Sequence, residues 1–378
     1  MNIIKFIKLI TFAAAICFMQ NAISFETSAK YAFLADYESG QVLYQKNAAE
    51  RMHPSSMTKI MTAYVVFDEI KAGNINLDDV ITISAKARAM DGSRMFLEAG
   101  SKVTVEELLT GMIVQSGNDA AVALAEAVSD TEEQFAVKMN EYAKKLGLVD
   151  TNYENCTGLS SENHYTTAID IYKLSHSLLD HFSGFYNIFG IAEYTHNNIK
   201  QTNRNMVLGK FGADGIKTGH TDAGGYGVAI SAEQNKQRLI AVINGLSSEA
   251  VRLQESIKIL DYGFNDFVLK KILTAGDPEY NQQVTIRYGA HSKVTAILPE
   301  SISLYMLKGE AQDFDIVVRH FDNIKAPIEQ GEVLGKVVVK DADGNEVATE
   351  DLVANESIAK ASFFQRLWLN IKYLLGWE

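Results

Sequence analysis

The sequence predicts an α+β chain: an antiparallel sheet carrying an inserted helical region, then a small all-β domain, then a C-terminal amphipathic helix. Three observations predict it. Strand-like runs stand at both ends of residues 25–270, with mainly helical patterning between them. Past Asp277-Pro278 the texture changes to short apolar runs separated by turns. Near the C-terminus Phe363, Phe364, Leu367, Trp368, Ile371, Leu374 and Leu375 share one helical face, opposite Gln365, Arg366, Asn370, Lys372 and Gly376. The boundaries that follow are 1–24 for an export signal, 25–275 for the mixed domain, 276–355 for the all-β domain and 356–378 for a linker and helix.

Lys5 and Lys8 precede an almost unbroken apolar run, Leu9 to Met19, and Ala22-Ile23-Ser24 offers small residues for cleavage after Ser24. An N-terminal membrane anchor is the alternative, although the run is shorter than the roughly 20 residues a span needs. Tyr31 to Ala35 and Gln41 to Gln45 flank Glu38-Ser39-Gly40 and read as a hairpin. After His53-Pro54-Ser55, the residues Met57, Ile60, Met61, Tyr64 and Val65 fall at helical spacing in a run apolar enough to be buried all round. Thr104 and Glu107 form a capping box ahead of Leu108, Leu109 and Met112. Further helices are expected after Ser129 and over Thr167 to Leu179. Tyr226 to Ala232 and Arg238 to Gly245 flank a polar turn and read as a second hairpin. In the all-β part, Val284 to Ile286, Val294 to Leu298, Ile302 to Met306, Phe314 to Val318 and Val333 to Val339 are strands, with Asp341 to Asn345 a hairpin turn. The terminal helix, with large aromatics and a basic polar face, suits a membrane interface, or else a site on the protein's own core.

With 47% hydrophobic and 22% charged residues among 378, the chain has the composition of a folded globular protein. Its formal charge of −12 lacks the basic footprint of a nucleic-acid binder. Cleavage after Ser24 would remove Cys17 and leave Cys156 alone, so neither an internal disulfide nor a cysteine-rich metal site is available. Asn155-Cys156-Thr157-Gly158 offers Cys156 no activating base.

Three short patterns carry the chemistry: Ser56-Met57-Thr58-Lys59, Ser116-Gly117-Asn118 and Lys217-Thr218-Gly219, in that order. The first two have decoys in Ser357-Ile358-Ala359-Lys360 and Ser161-Glu162-Asn163. Context separates them, because Ser56 opens a buried helix and Lys59 follows one turn later on the same face. A serine hydroxyl attacks only after losing its proton, and Lys59 can take that proton only when neutral. Burial and a second cation, Lys217, both lower a lysine pKa. Ser116 fits as a proton relay, and the Asn118 amide as a donor and acceptor for a peptide-like substrate. Lys217 and Thr218 would bind an anion beside a strand, where Gly219 would let substrate backbone approach closely.

The sequence resembles the low-molecular-mass penicillin-binding proteins that are serine-type D-alanyl-D-alanine carboxypeptidases. Pro54 to Lys59, Gly92-Ser93-Arg94-Met95, Gln115 to Ala120, Asn155 to Leu159 and Gly215 to Thr221 all look like that family's motif blocks. The resemblance implies a β-lactamase/transpeptidase-like fold and acylation of Ser56 by the penultimate D-alanine carbonyl of a peptidoglycan stem pentapeptide. It implies an oxyanion held by the backbone amides of Ser56 and His220, and a substrate carboxylate bound by Lys217, Thr218, Arg204 and Arg252. It further implies β-lactams as covalent inhibitors, no metal or organic cofactor, and a periplasmic enzyme held at the inner-membrane surface. A DD-endopeptidase, a β-lactamase and a cell-wall-binding scaffold remain as alternatives. Gly117 stands where class A β-lactamases have Asp, which disfavours that branch.

Overall fold

The computed structural model describes residues 25–310, 312–365 and 367–368. The expected export signal lies outside them, as does most of the amphipathic helix. Phe363, Phe364, Leu367 and Trp368, from the apolar face of that helix, are described, and all four are exposed. No helix among the described residues is long and apolar enough to cross a membrane.

The chain opens with the expected hairpin, β1 (Tyr31–Asp36) and β2 (Val42–Lys46). One turn of 3-10 helix, Ser55–Thr58, then leads into α1 (Lys59–Lys71), whose first nine residues, 59–67, are all buried. The helical insertion follows. A small hairpin, β3 (Val80–Thr82) with β4 (Lys102–Thr104), brackets the short α2 (Ala85–Arg88). Next come α3 (Val105–Val114), α4 (Asn118–Ser129), α5 (Glu132–Lys145) and α6 (Ala168–His181). The Thr104–Glu107 capping box is formed, each residue satisfying the other's backbone N–H. A second small hairpin, β5 (Glu193–His196) with β6 (Ile199–Thr202), leads back to the sheet.

Three long strands complete that sheet: β7 (Ala213–Thr221), β8 (Gly225–Gln234) and β9 (Gln237–Leu246), followed by α7 (Glu249–Asn265). The β8–β9 turn is tighter than the polar segment suggested. Only Asn235 and Lys236 separate the strands, both at positive φ, as a two-residue hairpin loop requires. The order is β2-β1-β9-β8-β7, so β7, which carries Lys217, is an edge strand. Both faces of the sheet are covered. Tyr31, Phe33 and Val242 join the core shared with α1 and α3 to α6, while Ala32, Leu34 and Ile243 pack with Ile259 and Leu260 of α7. That double burial explains why β1 is apolar throughout instead of alternating.

The second unit contains β10 (Phe267–Leu273), β11 (Gln282–Thr285), β12 (Lys293–Ile297), β13 (Ile302–Leu307), β14 (Asp315–His320), β15 (Val333–Lys340) and β16 (Glu346–Ala354). They form a β11-β12-β16-β15-β14 sheet and a β10-β13 pair around their own core, including Leu304, Val337 and Leu352. Two expected boundaries shift. Strand β10 pairs with β13, so the all-β unit begins at Phe267, before the Asp277-Pro278 punctuation. Residues expected as a linker belong to the unit as well, since Ile358 bridges to Ile328 and Lys360 to Gly289. The units are tied by the Gln41 side-chain amide, which donates to the Tyr305 carbonyl at 2.8 Å and accepts from the Tyr305 N–H at 2.7 Å.

Candidate active site

Ser56 sits in the 3-10 turn, and Lys59 is the first residue of α1. In 3-10 geometry residues i and i+3 eclipse, which is why the two side chains meet. Lys59 Nζ lies 3.1 Å from Ser56 Oγ, 2.7 Å from Asn118 Oδ1 and 2.6 Å from the Thr157 carbonyl. The amide of Asn118 is oriented by its own Nδ2, which donates to the Asp91 carbonyl at 2.7 Å, so its oxygen faces the lysine. Two of the three neighbours of Nζ can therefore only accept. A neutral amine has two N–H groups and one lone pair. Giving the N–H groups to Asn118 and Thr157 leaves the lone pair for the Ser56 hydroxyl.

Electrostatics favour that neutral form. Lys59 is fully buried, and burial pulls its pKa down to about 7. The Arg204 charge lowers it further, while Cys156 and Asp119 oppose the shift. Arg204 thus joins the expected Lys217 as a cation near Lys59. Lys217 is itself held well below its ordinary value, by burial first and then by Lys59, Arg204 and Arg252. The expected residues therefore converge in one field of four cationic groups.

Ser116 lies between α3 and α4 at φ +60°, its hydroxyl buried with no hydrogen-bond partner among the described residues. The next turn binds the Gly92–Leu97 segment. Asn118 N–H donates to the Ser93 carbonyl, and the Asp119 carboxylate accepts from Met95 N–H and Leu97 N–H. On β7, Lys217 and Thr218 are both buried, and Lys217 Nζ lies 3.2 Å from the Thr218 carbonyl. Arg204 Nε donates to the Gln115 carbonyl beside Ser116, and Arg252 of α7 donates to the Arg204 carbonyl at 3.1 Å. Exposed His220 stacks on Tyr226 with ring centroids 3.9 Å apart, and the Arg252 guanidinium lies 5.8 Å from that same ring.

Gly219 has a different neighbour from the one expected. A Cβ there would lie 2.9 Å from the Pro54 carbonyl and 3.0 Å from Ser55 Cβ. The backbone that approaches it is the turn carrying Ser56. Gly158 does the same from the other side: at φ +82°, its Cβ would fall 1.8 Å from the Ser55 carbonyl oxygen. The Asn155 side chain folds that loop by accepting from the N–H groups of Thr157 and Gly158, which presents the Thr157 carbonyl to Lys59. No role for Thr157 followed from the sequence, because the contact is made by its main chain. The segment itself was marked only as a block, Asn155 to Leu159.

The remaining candidates separate cleanly. Ser161 bonds Glu154, and exposed Ser357 lies in the all-β unit, accepting from Gln330 N–H at 2.9 Å. His164 accepts from the Glu154 N–H at Nδ1, so its Nε2 carries the proton and donates to Thr58 Oγ1 at 2.9 Å. Burial lowers its pKa to about 4, leaving a neutral ring that braces the Ser55–Thr58 turn. Cys156 is buried beside Glu132, and burial pushes its thiol pKa well up, away from reactivity. No cluster of potential metal ligands occurs among the described residues.

Most of the chain is similar to known proteins. Residues 18–248 match the family model of D-alanyl-D-alanine carboxypeptidases, and residues 267–360 match the C-terminal domain of penicillin-binding protein 5. The chain belongs to the D-alanyl-D-alanine carboxypeptidase family. It is 37% identical to the D-alanyl-D-alanine carboxypeptidase DacF of Bacillus subtilis, across 89% of this chain and 87% of the relative. Identity to DacC of Escherichia coli is 36%, across 89% and 85%. Among solved structures, penicillin-binding protein 5 of Haemophilus influenzae superposes with a TM-score of 0.77 at 34% identity, covering 89% of this chain and 99% of that one.

The contact at Gly158 makes a stability prediction. Gly158→Ala should cost at least about 3 kcal/mol in denaturant unfolding, combining positive-φ strain with the clash. Gly147→Ala, at φ +66° with nothing within 4 Å, should cost only about 1–2 kcal/mol. Equal losses at the two positions would contradict the close approach.

Proposed function

We propose that this chain is a serine-type D-alanyl-D-alanine carboxypeptidase that removes the terminal D-alanine from peptidoglycan stem pentapeptides. The observation that carries the reading is the buried Lys59 amine, whose two fixed acceptors leave its lone pair for Ser56. Lys59 takes the Ser56 proton as Oγ attacks the penultimate carbonyl carbon, and the backbone amides of Ser56 and His220 stabilise the oxyanion. As the tetrahedral intermediate collapses, the C–N bond breaks and the proton passes by way of Ser116 to the amine of the departing D-alanine. Water then attacks the acyl-enzyme, Lys59 accepts its proton, and Ser56 leaves as the hydroxyl.

Lys217, Thr218, Arg204 and Arg252 receive the terminal carboxylate. Their mutual repulsion is relieved when that anion arrives, so binding favours a substrate that ends in a free carboxylate. Asn118 has one role more than a peptide contact: its oxygen holds the base, and its Nδ2 is bound to the Asp91 carbonyl. β-Lactams act on the same Ser56 as covalent inhibitors. None of these steps uses a metal or an organic cofactor.

The same reading has the chain exported and held on the outer surface of the cytoplasmic membrane. The charged-then-apolar N-terminus supports export, and exposed Phe363, Phe364, Leu367 and Trp368 support attachment.

Purified protein should release D-alanine from a stem pentapeptide, and Ser56→Ala should abolish both that release and labelling by fluorescent penicillin. The base form of Lys59 is required, so kcat/KM should fall about tenfold per pH unit below its pKa of about 7 and level off above it. Cleavage of cross-linked dimer without release from pentapeptide would sink the reading. Removing residues 363–378 should free the protein from membranes; unchanged retention would refute the anchor.

A further inference from the structure

His164 is a buried ionisable group that the reaction above does not use. It stands on a short extended segment from which two other parts of the chain are hung. Thr166 exchanges backbone hydrogen bonds with Met52, at 2.7 and 3.0 Å, and Tyr165 exchanges them with Asn152, at 2.9 and 3.1 Å. Met52 leads into the Ser55–Thr58 turn, and Asn152 leads into the 155–158 loop. These are two of the parts that meet at Lys59 Nζ, the turn through Ser56 Oγ and the loop through the Thr157 carbonyl.

The backbone pairing sets where the two parts begin, and the His164 side chain ties them together nearer the site. Nδ1 accepts from Glu154 N–H at 3.1 Å, one residue ahead of the loop, and Nε2 donates to Thr58 Oγ1 at 2.9 Å, one residue ahead of Lys59. The two bonds require an acceptor and a donor on one rigid ring, which a neutral imidazole supplies. Burial disfavours a charge on that ring, as do His53 and Lys59, against Glu154. The Tyr153 ring packs edge-on to it, with centroids 5.7 Å apart. There is little slack in the tie. A Cβ at Gly158 would lie 2.9 Å from Thr58 Oγ1, so loop and turn are in contact at the oxygen that His164 binds.

We propose that His164 is a positioning residue for the reaction: it locks the Ser55–Thr58 turn to the 155–158 loop, so that Ser56 Oγ and the Thr157 carbonyl both stay within bonding distance of Lys59 Nζ. It touches neither the substrate nor the reacting atoms. The inference rests on the carboxypeptidase reading above for the part Lys59 plays. Loss of the lock separates the two groups at Lys59 and admits water to its amine, which restores the hydration that burial removes.

The test is release of D-alanine from a stem pentapeptide across the pH range, with folded protein confirmed for each variant. His164→Ala should lower kcat/KM on the order of tenfold or more. It should also move the acid limb of the pH profile upward by about one pH unit. His164→Gln, whose amide can still donate to Thr58, should recover part of both losses. Thr58→Val, which removes the acceptor at nearly constant shape, should shift the profile as the alanine variant does and covers the case in which that variant does not fold. An acid limb unmoved in His164→Ala and Thr58→Val would overturn the proposal, since a group needed only for stability changes the folded fraction and not the profile. Failure of the wild type to release D-alanine would instead overturn the carboxypeptidase reading. Carbon-13 titration of Lys59 then still reads the lock: a higher midpoint in His164→Ala than in wild type supports it, and equal midpoints refute it.

Discussion

An ammonium group sealed from water loses several kcal/mol of hydration unless its surroundings replace it. Lys59 has no exposed surface, and among the described residues its surroundings supply two carbonyl-type oxygens and one hydroxyl but no carboxylate within bonding distance. Three separate parts of the chain meet at this one nitrogen: the 3-10 turn ahead of α1, the start of α4 and the 155–158 loop. Each is positioned by other contacts. The start of α4 is held through Asp119 and the Gly92–Leu97 segment, and the loop through Asn155. The fold thus lowers the Lys59 pKa by burial while leaving the Ser56 hydroxyl as the hydrogen-bond partner able to give up a proton.

Close backbone approach does the rest. The Ser55–Thr58 turn is wedged between β7 and the 155–158 loop, and glycine occupies each contact because a Cβ would not fit. Gly219 therefore positions the serine relative to the strand that offers Lys217 and Thr218. With β7 at the sheet edge, substrate can lie along the strand while its reacting carbonyl faces Ser56. The cations proposed to receive the carboxylate, Lys217, Arg204 and Arg252, stand on one side of this point.

Much of this was legible in the sequence. The hairpins, the capping box at Thr104 and Glu107, and the order of the three motifs are local patterns, and local patterns survive without tertiary knowledge. The i, i+3 spacing of Ser56 and Lys59 was enough to bring them together, although a 3-10 turn rather than an α-helix does it. What escaped was carried by groups that have no sequence identity. The Thr157 carbonyl is a main-chain group, Gly158 acts by lacking a Cβ, and Gly219, expected to admit substrate backbone, instead admits the Pro54–Ser55 backbone. Strand β10 escaped because only Asp266 separates it from α7, so no turn residues mark the change. The 356–361 stretch reads as polar linker because its pairing partners, Ile328 and Gly289, are distant in sequence. Arg204 and Arg252 came only from resemblance, since no motif fixes either; in the fold, one bonds the backbone carbonyl of the other.

The central claim is that Lys59 loses its proton near neutral pH because the fold buries it. Carbon-13 labelling at lysine Cε, with Lys59 assigned by comparison with Lys59→Arg, measures this directly by NMR titration. The account predicts one lysine titrating near pH 7, far below the ordinary value of 10.5. A Lys59 that stays charged until about pH 10 would contradict it.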